Sequence, residues 1–527
     1  MKAKVYLTGA GPGDPALLTL KAKKAIKKAD VILYDRLAND RFLEYAEAEA
    51  EKIYVGKKAK DHHFTQSEIE ALMIKKAKAG KTVCRLKGGD PFIYGRGGEE
   101  ALKLKAAGIE FEIIPGISSS LAVPLYAGIP LTQRHLASSF AVITGHEAAD
   151  KEESTIEIEK ISAAVDTLVI LMGVGKLPQI VERVLAAGKS PETPAALVRW
   201  GSHSKQQTLT GKLINISDRV EAADFKPPAV IIIGEVVKLR QDLKWFENKS
   251  LFGKNILVTR PRAQAASFVE MIETEAGRAV LAPTIEIKAA QNRQPLQKAV
   301  RNLGEYTHLI FTSVNGVKHF REALDQKGLD FRALAGIKVI TIGAKTAEEL
   351  RKQGIKADFM PADYSTAGIL NYLKQLQGEG KINLSQASFL LPRADIAPQL
   401  LEEELKALGA EVNNVEAYRT EAVALEPEVL ELIKNSDLDL LTFSSSSTVE
   451  NFISGLDKLL KSRNQNLENN SAAISKEELW QQLEEIPAAC IGPVTAAKAE
   501  EYGLNVKITA AEYTIEGLFA AISAYYS

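Results

Sequence analysis

The residues with the clearest chemical potential lie in the stretch KGGDPFIYGRGGEE, at positions 87–100. It combines five glycines with carboxylate, cationic and aromatic side chains. Inside a helix or strand each glycine would cost about 1 kcal/mol relative to alanine, so this density is not typical of a regular element. Pro91, Phe92 and Tyr94 argue against a flexible linker. The stretch therefore predicts a shaped loop that faces a ligand.

A second glycine-rich turn follows the first strand, in VYLTGAGPGDPALLT. Gly9, Gly11 and Gly13 permit positive φ and a close approach of ligand to backbone. The dinucleotide fingerprint is G-x-G-x-x-G, whereas the spacing here is G-x-G-x-G-D, and Pro12 lacks an amide hydrogen. The turn disfavours a nicotinamide-dependent oxidoreductase. Taken alone, it is also compatible with a simple tight β–α turn.

Three further motifs follow along the first half of the chain. They are PGISSS at 115–120 with GIPLTQRH at 128–135, VILMG ending in Met172 and Gly173, and RWGS with Gly201.

The elements that must position these residues alternate between short apolar strands and helical segments. Strand-like runs such as KVYLTGA, DTLVILMGV and AVIIIGEV are separated by helical runs such as SEIEALMIKKAKAG. This alternation predicts an α/β fold with largely parallel sheets. A polar stretch at 240–254 predicts a boundary, and residues 461–476 predict a surface loop insertion.

Composition restricts the function classes. The 527 residues carry a net charge of -1, which does not suggest nucleic acid or a membrane surface as a partner. The two cysteines, Cys84 and Cys490, form neither a disulfide framework nor a metal-ligand spacing, so no metal is expected. No apolar run approaches the roughly 18 residues of a membrane span, and the first residues lack a signal-peptide pattern. We expect a soluble, cytoplasmic protein.

Taken in order, the five motifs of the first half resemble the uroporphyrinogen-III C-methyltransferases of the tetrapyrrole methylase family, over residues 1–245. The resemblance implies two α/β lobes, about 1–115 and 116–245, with S-adenosylmethionine between them and S-adenosylhomocysteine as product. It also implies a homodimer through this half. Carried over by position, the cofactor contacts are Pro12, Gly88, Gly89, Asp90, Ile93, Ser118, Ser119, Met172 and Gly201.

The same resemblance implies catalytic roles for Asp35 and Lys57. Methylation of a pyrrole carbon leaves a cation that must lose a proton, and Asp35 in VILYDRL matches the base. Lys57 in YVGKKAK matches the proton-donating position. An N-cap and a surface lysine are the structural alternatives. The carboxylates of uroporphyrinogen III need cations, and the candidates that flank the motifs are Arg36, Arg85, Arg96, Arg134 and His135.

From residue 253 onward the chain resembles uroporphyrinogen-III synthase, through NILVTRP, FTSVNGV, TIGAKTAEEL, LLPRAD, VEAYRT, FSSSSTV and IGPVTAAKAEEYGL. The resemblance implies two flavodoxin-like lobes, 253–284 with 420–527, and 289–413, with substrate in the cleft. Tyr418 matches the residue that assists hydroxyl departure, although a packed tyrosine is the alternative. Carboxylate-binding candidates are Arg260, Ser313, Asn315, Gly343, Thr346, Arg393, Ser445, Ser446, Gly492 and Thr495, and each Ser or Thr is equally compatible with a helix cap.

The two resemblances imply consecutive reactions. The second half would cyclise hydroxymethylbilane to uroporphyrinogen III with inversion of ring D. The first half would methylate that product at C2 and C7 to give precorrin-2. Two alternatives stay open, namely a methylase with a different acceptor and a second half that binds tetrapyrroles without catalysis. The sequence leaves open whether the product serves sirohaem or cobalamin.

Overall fold

The computed structural model describes residues 3–56, 64–146, 156–465 and 475–527. The chain forms two compact units. The first contains residues 1–256, 270–279 and 523–527, and the second contains 257–269 and 280–522.

The first sheet of the first unit is parallel throughout, with strand order β3-β2-β4-β1-β5. Its strands are β1 Lys4–Gly9, β2 Val31–Tyr34, β3 Glu51–Tyr54, β4 Val83–Lys87 and β5 Glu110–Ile114. β4 is buried along its whole length, as expected for a central strand covered on both faces. Because all five strands are parallel, the loops at their carboxyl ends share one edge of the sheet.

The second sheet of this unit is mixed, with order β6-β7-β10-β8-β9. Its strands are β6 Phe140–Thr144, β7 Thr167–Leu171, β8 Pro194–Arg199, β9 Gln207–Lys212 and β10 Ala229–Ile233. β6 and β7 are parallel, and the remaining pairs are antiparallel.

The second unit contains two more sheets. One has the order β12-β11-β18-β19-β20, formed by β11 Asn255–Val258, β12 Arg278–Leu281, β18 Leu440–Phe443, β19 Pro487–Cys490 and β20 Asn505–Thr509. The other has the order β13-β17-β16-β14-β15, formed by β13 Ile285–Ala289, β14 His308–Phe311, β15 Lys338–Thr341, β16 Ser388–Ala394 and β17 Glu411–Ala422. β17 pairs antiparallel with β13 and parallel with β16.

Helices cover these sheets. Those of the first half are α1 Leu20–Lys28, α2 Gln66–Lys78, α3 Gly97–Ala106, α4 Ser119–Tyr126, α5 Ile158–Ala164, α6 Leu177–Ala186, α7 Ile216–Ala222 and α8 Arg240–Leu243. Those of the second half are α9 Arg262–Thr274, α10 Gln294–Arg301, α11 Val314–Asp325, α12 Ala344–Lys352, α13 Thr366–Gly378, α14 Leu400–Ala407, α15 Pro427–Lys434, α16 Ser446–Gln465, α17 Lys476–Glu485, α18 Pro493–Glu501 and α19 Ile515–Tyr526. Short 3-10 turns lie at Pro15–Leu17, Asp40–Tyr45, Val174–Lys176, Glu235–Leu239, Leu303–Glu305, Phe331–Leu334 and Leu384–Gln386.

The second unit contains a local structural repeat. The N-cap of α12 is Gly343, and a Cβ there would lie 2.9 Å from the ring of Tyr364. The N-cap of α18 is Gly492, and a Cβ there would lie 3.1 Å from the ring of Tyr513. The same sequence interval separates Gly343 from Gly492 and Tyr364 from Tyr513. Each sheet of this unit therefore carries a helix whose first turn is packed under a tyrosine.

The predicted α/β class is confirmed. Four five-stranded sheets, mostly parallel, are each flanked by helices.

Candidate functional sites

The glycine loops of the first unit meet at the point where the connections between strands turn towards opposite edges of the sheet. The connection after β1 leads to one side of the sheet, and the connection after β4 leads to the other. Gly11 and Gly89 pair across this gap, with N–H···O distances of 3.1 and 2.7 Å. Ligands of parallel α/β sheets bind outside the strand ends at such a switch point. The two most glycine-rich motifs therefore form one surface.

Three glycines allow this surface to close. A Cβ on Gly9 would lie 2.4 Å from the amide nitrogen of Gly116 and 2.7 Å from the carbonyl oxygen of Gly89. A Cβ on Gly116 would lie 2.2 Å from that same oxygen. Asp90 braces the arrangement, since its carboxylate accepts hydrogen bonds from the amides of Phe92 (2.8 Å) and Gly116 (3.1 Å). Backbone packs on backbone here, and any side chain would force the loops apart.

Ser118 and Ser119 lie against this surface at the start of α4. A Cβ on Gly89 would be 3.6 Å from the amide nitrogen of Ser119. Ser118 is buried and is the N-cap of α4, since its Oγ accepts a hydrogen bond from the amide of Ser120 at 3.3 Å. The capping role accounts for the Ser118 side chain, and the backbone of this helix end faces the glycine loops.

The turn that contains Gly201 approaches the loop after β1. A Cβ on Gly13 would lie 2.0 Å from Nε2 of His203, and the amide of Asp14 donates to Oγ of Ser202 at 3.2 Å. Burial lowers the pKa of His203 to about 4. Gly201 itself packs on Val123, whose Cγ1 would be 2.6 Å from an added Cβ. The structure thus brings Pro12, Gly201 and the first glycine turn together.

Ile93 and Met172 are the exposed members of the predicted cofactor set, at 41% and 53%. Met172 follows β7 in a left-handed conformation, with φ of 55°. Tyr94, next to Ile93, donates a hydrogen bond to the carbonyl of Val142 in β6 at 3.2 Å. The loop after β4 therefore reaches the second sheet.

Asp35 lies at the carboxyl end of β2, beside the glycine loop. A Cβ on Gly88 would lie 2.6 Å from Cβ of Leu37, so the two loops are in contact. Oδ2 of Asp35 is 3.1 Å from Nη2 of Arg85, and Oδ1 accepts from the amide of Leu37 at 3.1 Å. Its side chain is 25% exposed. Lys57 lies outside the described residues.

The predicted carboxylate-binding cations divide into two groups. Arg36, Arg134 and His135 are exposed, and so is Arg96, which pairs with Glu99 at 2.6 Å. Arg85 is buried and engaged by Glu100 and Asp35, so it does not belong to the exposed set. Its position on a fully covered strand explains the difference.

The second unit encloses a cavity of about 430 Å³. It is lined by residues of both of its sheets and their helices, among them Arg260, Asn315, Lys345, Tyr418, Ser445 and Tyr513. Such a volume, with convergent polar groups, suits a small-molecule site.

Tyr418 extends from β17 into this cavity. Its hydroxyl is 2.9 Å from Oγ of Ser313, and its ring stacks on His319 at 5.6 Å between centroids. Burial raises the pKa of Tyr418, although the hydrogen bond from Ser313 and the charge of Arg393 act in the opposite direction. The phenol therefore stays protonated at neutral pH and can donate a proton.

The Ser and Thr candidates occupy helix starts. Ser313 caps α11, and its Oγ accepts from the amide of Gly316 at 3.0 Å. Ser445 precedes α16, and its Oγ accepts from the amide of Thr448 at 3.3 Å. Thr346 and Thr495 are buried at equivalent positions in the first turns of α12 and α18. All four side chains thus shape helix N-termini, where backbone amides favour anions.

Arg393 is a buried cation at the end of β16, only 3% exposed. Among the described residues, its Nε and Nη1 atoms have no hydrogen-bond partner. Burial lowers the pKa of Arg393 despite the neighbouring negative charge of Glu402. Arg393 is not among the residues that line the cavity, although its neighbour Ala394 is.

The described parts of the chain show neither a candidate metal site nor a helix suited to a membrane. They contain no group of three or more His, Cys, Asp or Glu side chains that could hold a metal ion. Within the same ranges, none of the helices is both long and apolar enough to cross a membrane.

Sequence reasoning missed His203, His319 and the partners of Arg85. His203 follows the RWGS motif by one residue, and its proximity to Gly13 depends on tertiary packing. Lys87 and Glu100 were visible as the first and last residues of the glycine-rich stretch. Arg85 and Lys87 are two residues apart on a strand, so they share one face, and this periodicity was the available signal.

Comparison with known proteins matches each half of the chain to a family. The model described as tetrapyrrole (corrin/porphyrin) methylases matches residues 4–216. The model described as uroporphyrinogen-III synthase HemD matches residues 266–520.

Two curated relatives and one solved structure illustrate the similarity. The porphyrin biosynthesis protein HemD of Ruminiclostridium josui is 34% identical over 98% of this chain and 96% of its own length. The S-adenosyl-L-methionine-dependent uroporphyrinogen III methyltransferase of Methanosarcina barkeri is 50% identical over 46% of this chain and 94% of its own length. The crystal structure of uroporphyrin-III C-methyl transferase from Thermus thermophilus complexed with S-adenyl homocysteine is 42% identical, with a TM-score of 0.39, and covers 45% of this chain and 100% of that one.

Proposed function

We infer the division of labour between the two sites from the premise that this chain belongs to the family of fused tetrapyrrole methylases and uroporphyrinogen-III synthases. The protein is a bifunctional enzyme of tetrapyrrole biosynthesis. Its second half is a uroporphyrinogen-III synthase, and its first half is a uroporphyrinogen-III C-methyltransferase that forms precorrin-2. We propose domain bounds of 1–245 and 253–527, with lobes divided near residue 115 in the first half and at the strands β13 and β17 in the second.

The methylase half uses S-adenosylmethionine and releases S-adenosylhomocysteine, as the name of the Methanosarcina barkeri relative indicates for that protein. The residues that would hold it are Pro12, Gly88, Gly89, Asp90, Ile93, Ser118, Ser119, Met172 and Gly201. The observation that supports this is the close backbone packing of the glycine loops, because an added Cβ at Gly9 or Gly116 would meet neighbouring backbone atoms at 2.4 or 2.2 Å. The cofactor supplies an already activated methyl group, so transfer needs positioning of the acceptor carbon and no metal.

Asp35 is the base of the methylase. After methyl transfer the macrocycle carries a positive charge, and Asp35 accepts a carbon-bound proton while the C–H electron pair restores the conjugated system. Asp35 lies at the end of a strand, in a loop that contacts the glycine-rich loop, and its carboxylate pairs with Arg85. This position supports the role. Lys57 is the proposed proton donor on sequence grounds alone.

Arg36, Arg96 and Arg134 bind the carboxylates of uroporphyrinogen III. All three are exposed. Arg36 directly follows Asp35, so a carboxylate bound there would hold its pyrrole ring close to the base. Arg96 must exchange Glu99 for substrate, which costs little because that ion pair is solvent-exposed.

In the synthase half, Tyr418 protonates the departing hydroxyl of hydroxymethylbilane. The observation that supports this is its phenol, which lies in a cavity of about 430 Å³ and is aligned by Ser313. Loss of water leaves an electrophilic methylene carbon. The substituted carbon of ring D attacks this carbon, and a spiro intermediate forms. The proposed substrate contacts are Ser313, Thr346, Arg393, Ser445 and Thr495. A cavity that contains an aligned proton donor argues against a second half that only binds tetrapyrroles.

The proposal extends to assembly. We propose a homodimer through the methylase half, with hydroxymethylbilane and uroporphyrinogen III as the small-molecule partners. Static light scattering of the full chain tests this, because a mass near 57 kDa would contradict it and twice that mass is expected.

The methylase assignment is tested by supplying the full chain with uroporphyrinogen III and S-adenosylmethionine. We expect precorrin-2 and two equivalents of S-adenosylhomocysteine. Asp35→Asn should bind S-adenosylhomocysteine normally in calorimetry yet form no precorrin-2. An Asp35→Asn protein with full turnover would refute the role of the base, and absence of S-adenosylhomocysteine binding in the unmodified chain would refute the site.

A further inference from the structure

A buried group of charges lies directly beneath Asp35. It consists of Arg85 and Lys87 from β4 and Glu100 from α3. The side chain of Glu100 is fully buried, and those of Arg85 and Lys87 are 5% and 6% exposed. Charged side chains are rarely buried in this way, because desolvation costs several kcal/mol per ion.

Glu100 is the centre of the group. Its Oε1 accepts hydrogen bonds from Nζ of Lys87 at 2.8 Å, from Nε2 of Gln66 at 3.1 Å and from Nε of Arg85 at 3.4 Å. Its Oε2 has no partner among the described residues. Gln66 also contacts the buried Glu70, at 3.4 Å. One carboxylate thus anchors two cations that point from the same face of β4.

Arg85 links Glu100 to Asp35. While Nε faces Glu100, Nη2 is 3.1 Å from Oδ2 of Asp35. Nη1 donates to the carbonyls of Leu86 at 3.1 Å and Leu33 at 3.4 Å. Every nitrogen of the guanidinium has an acceptor, so its plane is fixed. The orientation of the Asp35 carboxylate is therefore set by a buried and immobile cation.

A purely stabilising role does not explain the arrangement. Replacing buried ion pairs by apolar residues of similar size is often neutral or favourable for stability. Burial, followed by the charge of Arg85, lowers the pKa of Lys87, so the group carries an electrostatic cost that packing alone would not select. This electrostatic cost arises next to Asp35, the carboxylate that we propose as the base.

We propose that Arg85 is the positioning residue of the methylase base, and that Glu100 fixes Arg85 in place. Arg85 holds Oδ2 of Asp35, while the buried carboxylate of Glu100 pairs with both Arg85 and Lys87. This inference rests on the proposed role of Asp35 and adds a second layer of residues behind it.

The test uses the full chain with uroporphyrinogen III and S-adenosylmethionine. Arg85→Met leaves Glu100 paired with Lys87, so it creates no uncompensated buried charge. We expect unchanged S-adenosylhomocysteine binding and a kcat reduced about 10- to 100-fold, because the Asp35 carboxylate remains but loses its fixed orientation. Arg85→Lys should restore part of kcat, because it returns a cation to the same position.

A role in packing alone would lower stability and S-adenosylhomocysteine affinity together with kcat, and Arg85→Lys would not restore kcat. An unchanged kcat in Arg85→Met would therefore overturn the inference, as would the absence of any recovery in Arg85→Lys. If Asp35→Asn kept full activity, the proposed base itself would be wrong, and that outcome is distinct from an Arg85→Met protein that keeps its kcat.

Discussion

At the scale of single residues, the proposed role of Tyr418 depends on the surroundings of its hydroxyl group. The phenol is nearly buried, stacked on His319 and fixed by Ser313. Burial makes its pKa higher than usual, so it is fully protonated over the neutral range. A proton donor needs this state when a hydroxyl group departs as water.

Tyr418→Phe should therefore slow formation of uroporphyrinogen III about 100-fold, the lower range of general acid catalysis, because the ring remains and only the donor is lost. Isomer analysis of the products of hydroxymethylbilane measures this, since unassisted cyclisation yields the type I isomer. Tyr364→Phe is the matched control and should retain activity, as its ring packs on Gly343. Equal rates for Tyr418→Phe and the unmodified chain would exclude the acid role.

His203 illustrates a residue whose ionisation opposes folding. Its pKa falls from 6.5 to about 4 on burial. The folded state therefore binds the proton less well than the unfolded state, so stability is complete above pH 6.5 and is lost as the pH falls towards 4. Between pH 7.5 and pH 5 the loss should be about 2 kcal/mol.

Urea unfolding monitored by tryptophan fluorescence measures this, because Trp200 packs on the His203 ring with centroids 5.7 Å apart. His203→Gln should remove about 2 kcal/mol of the pH dependence of the free energy of unfolding. The same pH dependence in both proteins would show that His203 is not the titrating group.

At the scale of elements, the methylase site depends on how closely three loops approach one another. Gly9→Ala should push the loops after β1, β4 and β5 apart, because the new Cβ would meet backbone atoms at 2.4 and 2.7 Å. We expect a loss of about 2 kcal/mol in stability, with much weaker S-adenosylhomocysteine binding in calorimetry. Gly98→Ala is the matched control, since nothing lies within 4 Å of its added Cβ, and it should bind normally.

Normal S-adenosylhomocysteine binding by Gly9→Ala would mean that the glycine loops are not the cofactor site. Weakened binding by Gly98→Ala would instead point to a general sensitivity of the loop after β4.

The elements were largely predictable from sequence, and their mutual contacts were not. Alternation of apolar runs and helical patterns predicted the α/β class, and glycine density predicted the shaped loop at 87–100. The pairing of Gly11 with Gly89 depends on β1 lying next to β4, which no local pattern specifies. Arg85 was named among the carboxylate-binding candidates because it flanks the glycine-rich stretch, whereas in the structure it lies on a strand that is buried along its whole length.

The repeat in the second unit was not predicted from the sequence for a related reason. Its two members share identical residues that are scattered at one fixed interval, among them Ile342 with Ile491, Gly343 with Gly492, Thr346 with Thr495, Gly354 with Gly503 and Tyr364 with Tyr513. The tyrosine ring above a glycine at a helix start is the contact that they have in common. Scattered identities leave a weaker sequence signal than repetition of a whole element.

At the scale of the whole molecule, the two halves catalyse consecutive reactions, so one chain should convert hydroxymethylbilane to precorrin-2. The most direct test supplies hydroxymethylbilane and S-adenosylmethionine together and identifies the tetrapyrrole that accumulates. We predict precorrin-2 from the unmodified chain, unmethylated uroporphyrinogen III from Asp35→Ala, and a shift to type I products from Tyr418→Phe. Unmethylated type I uroporphyrinogen from the unmodified chain would contradict the assignment of both halves.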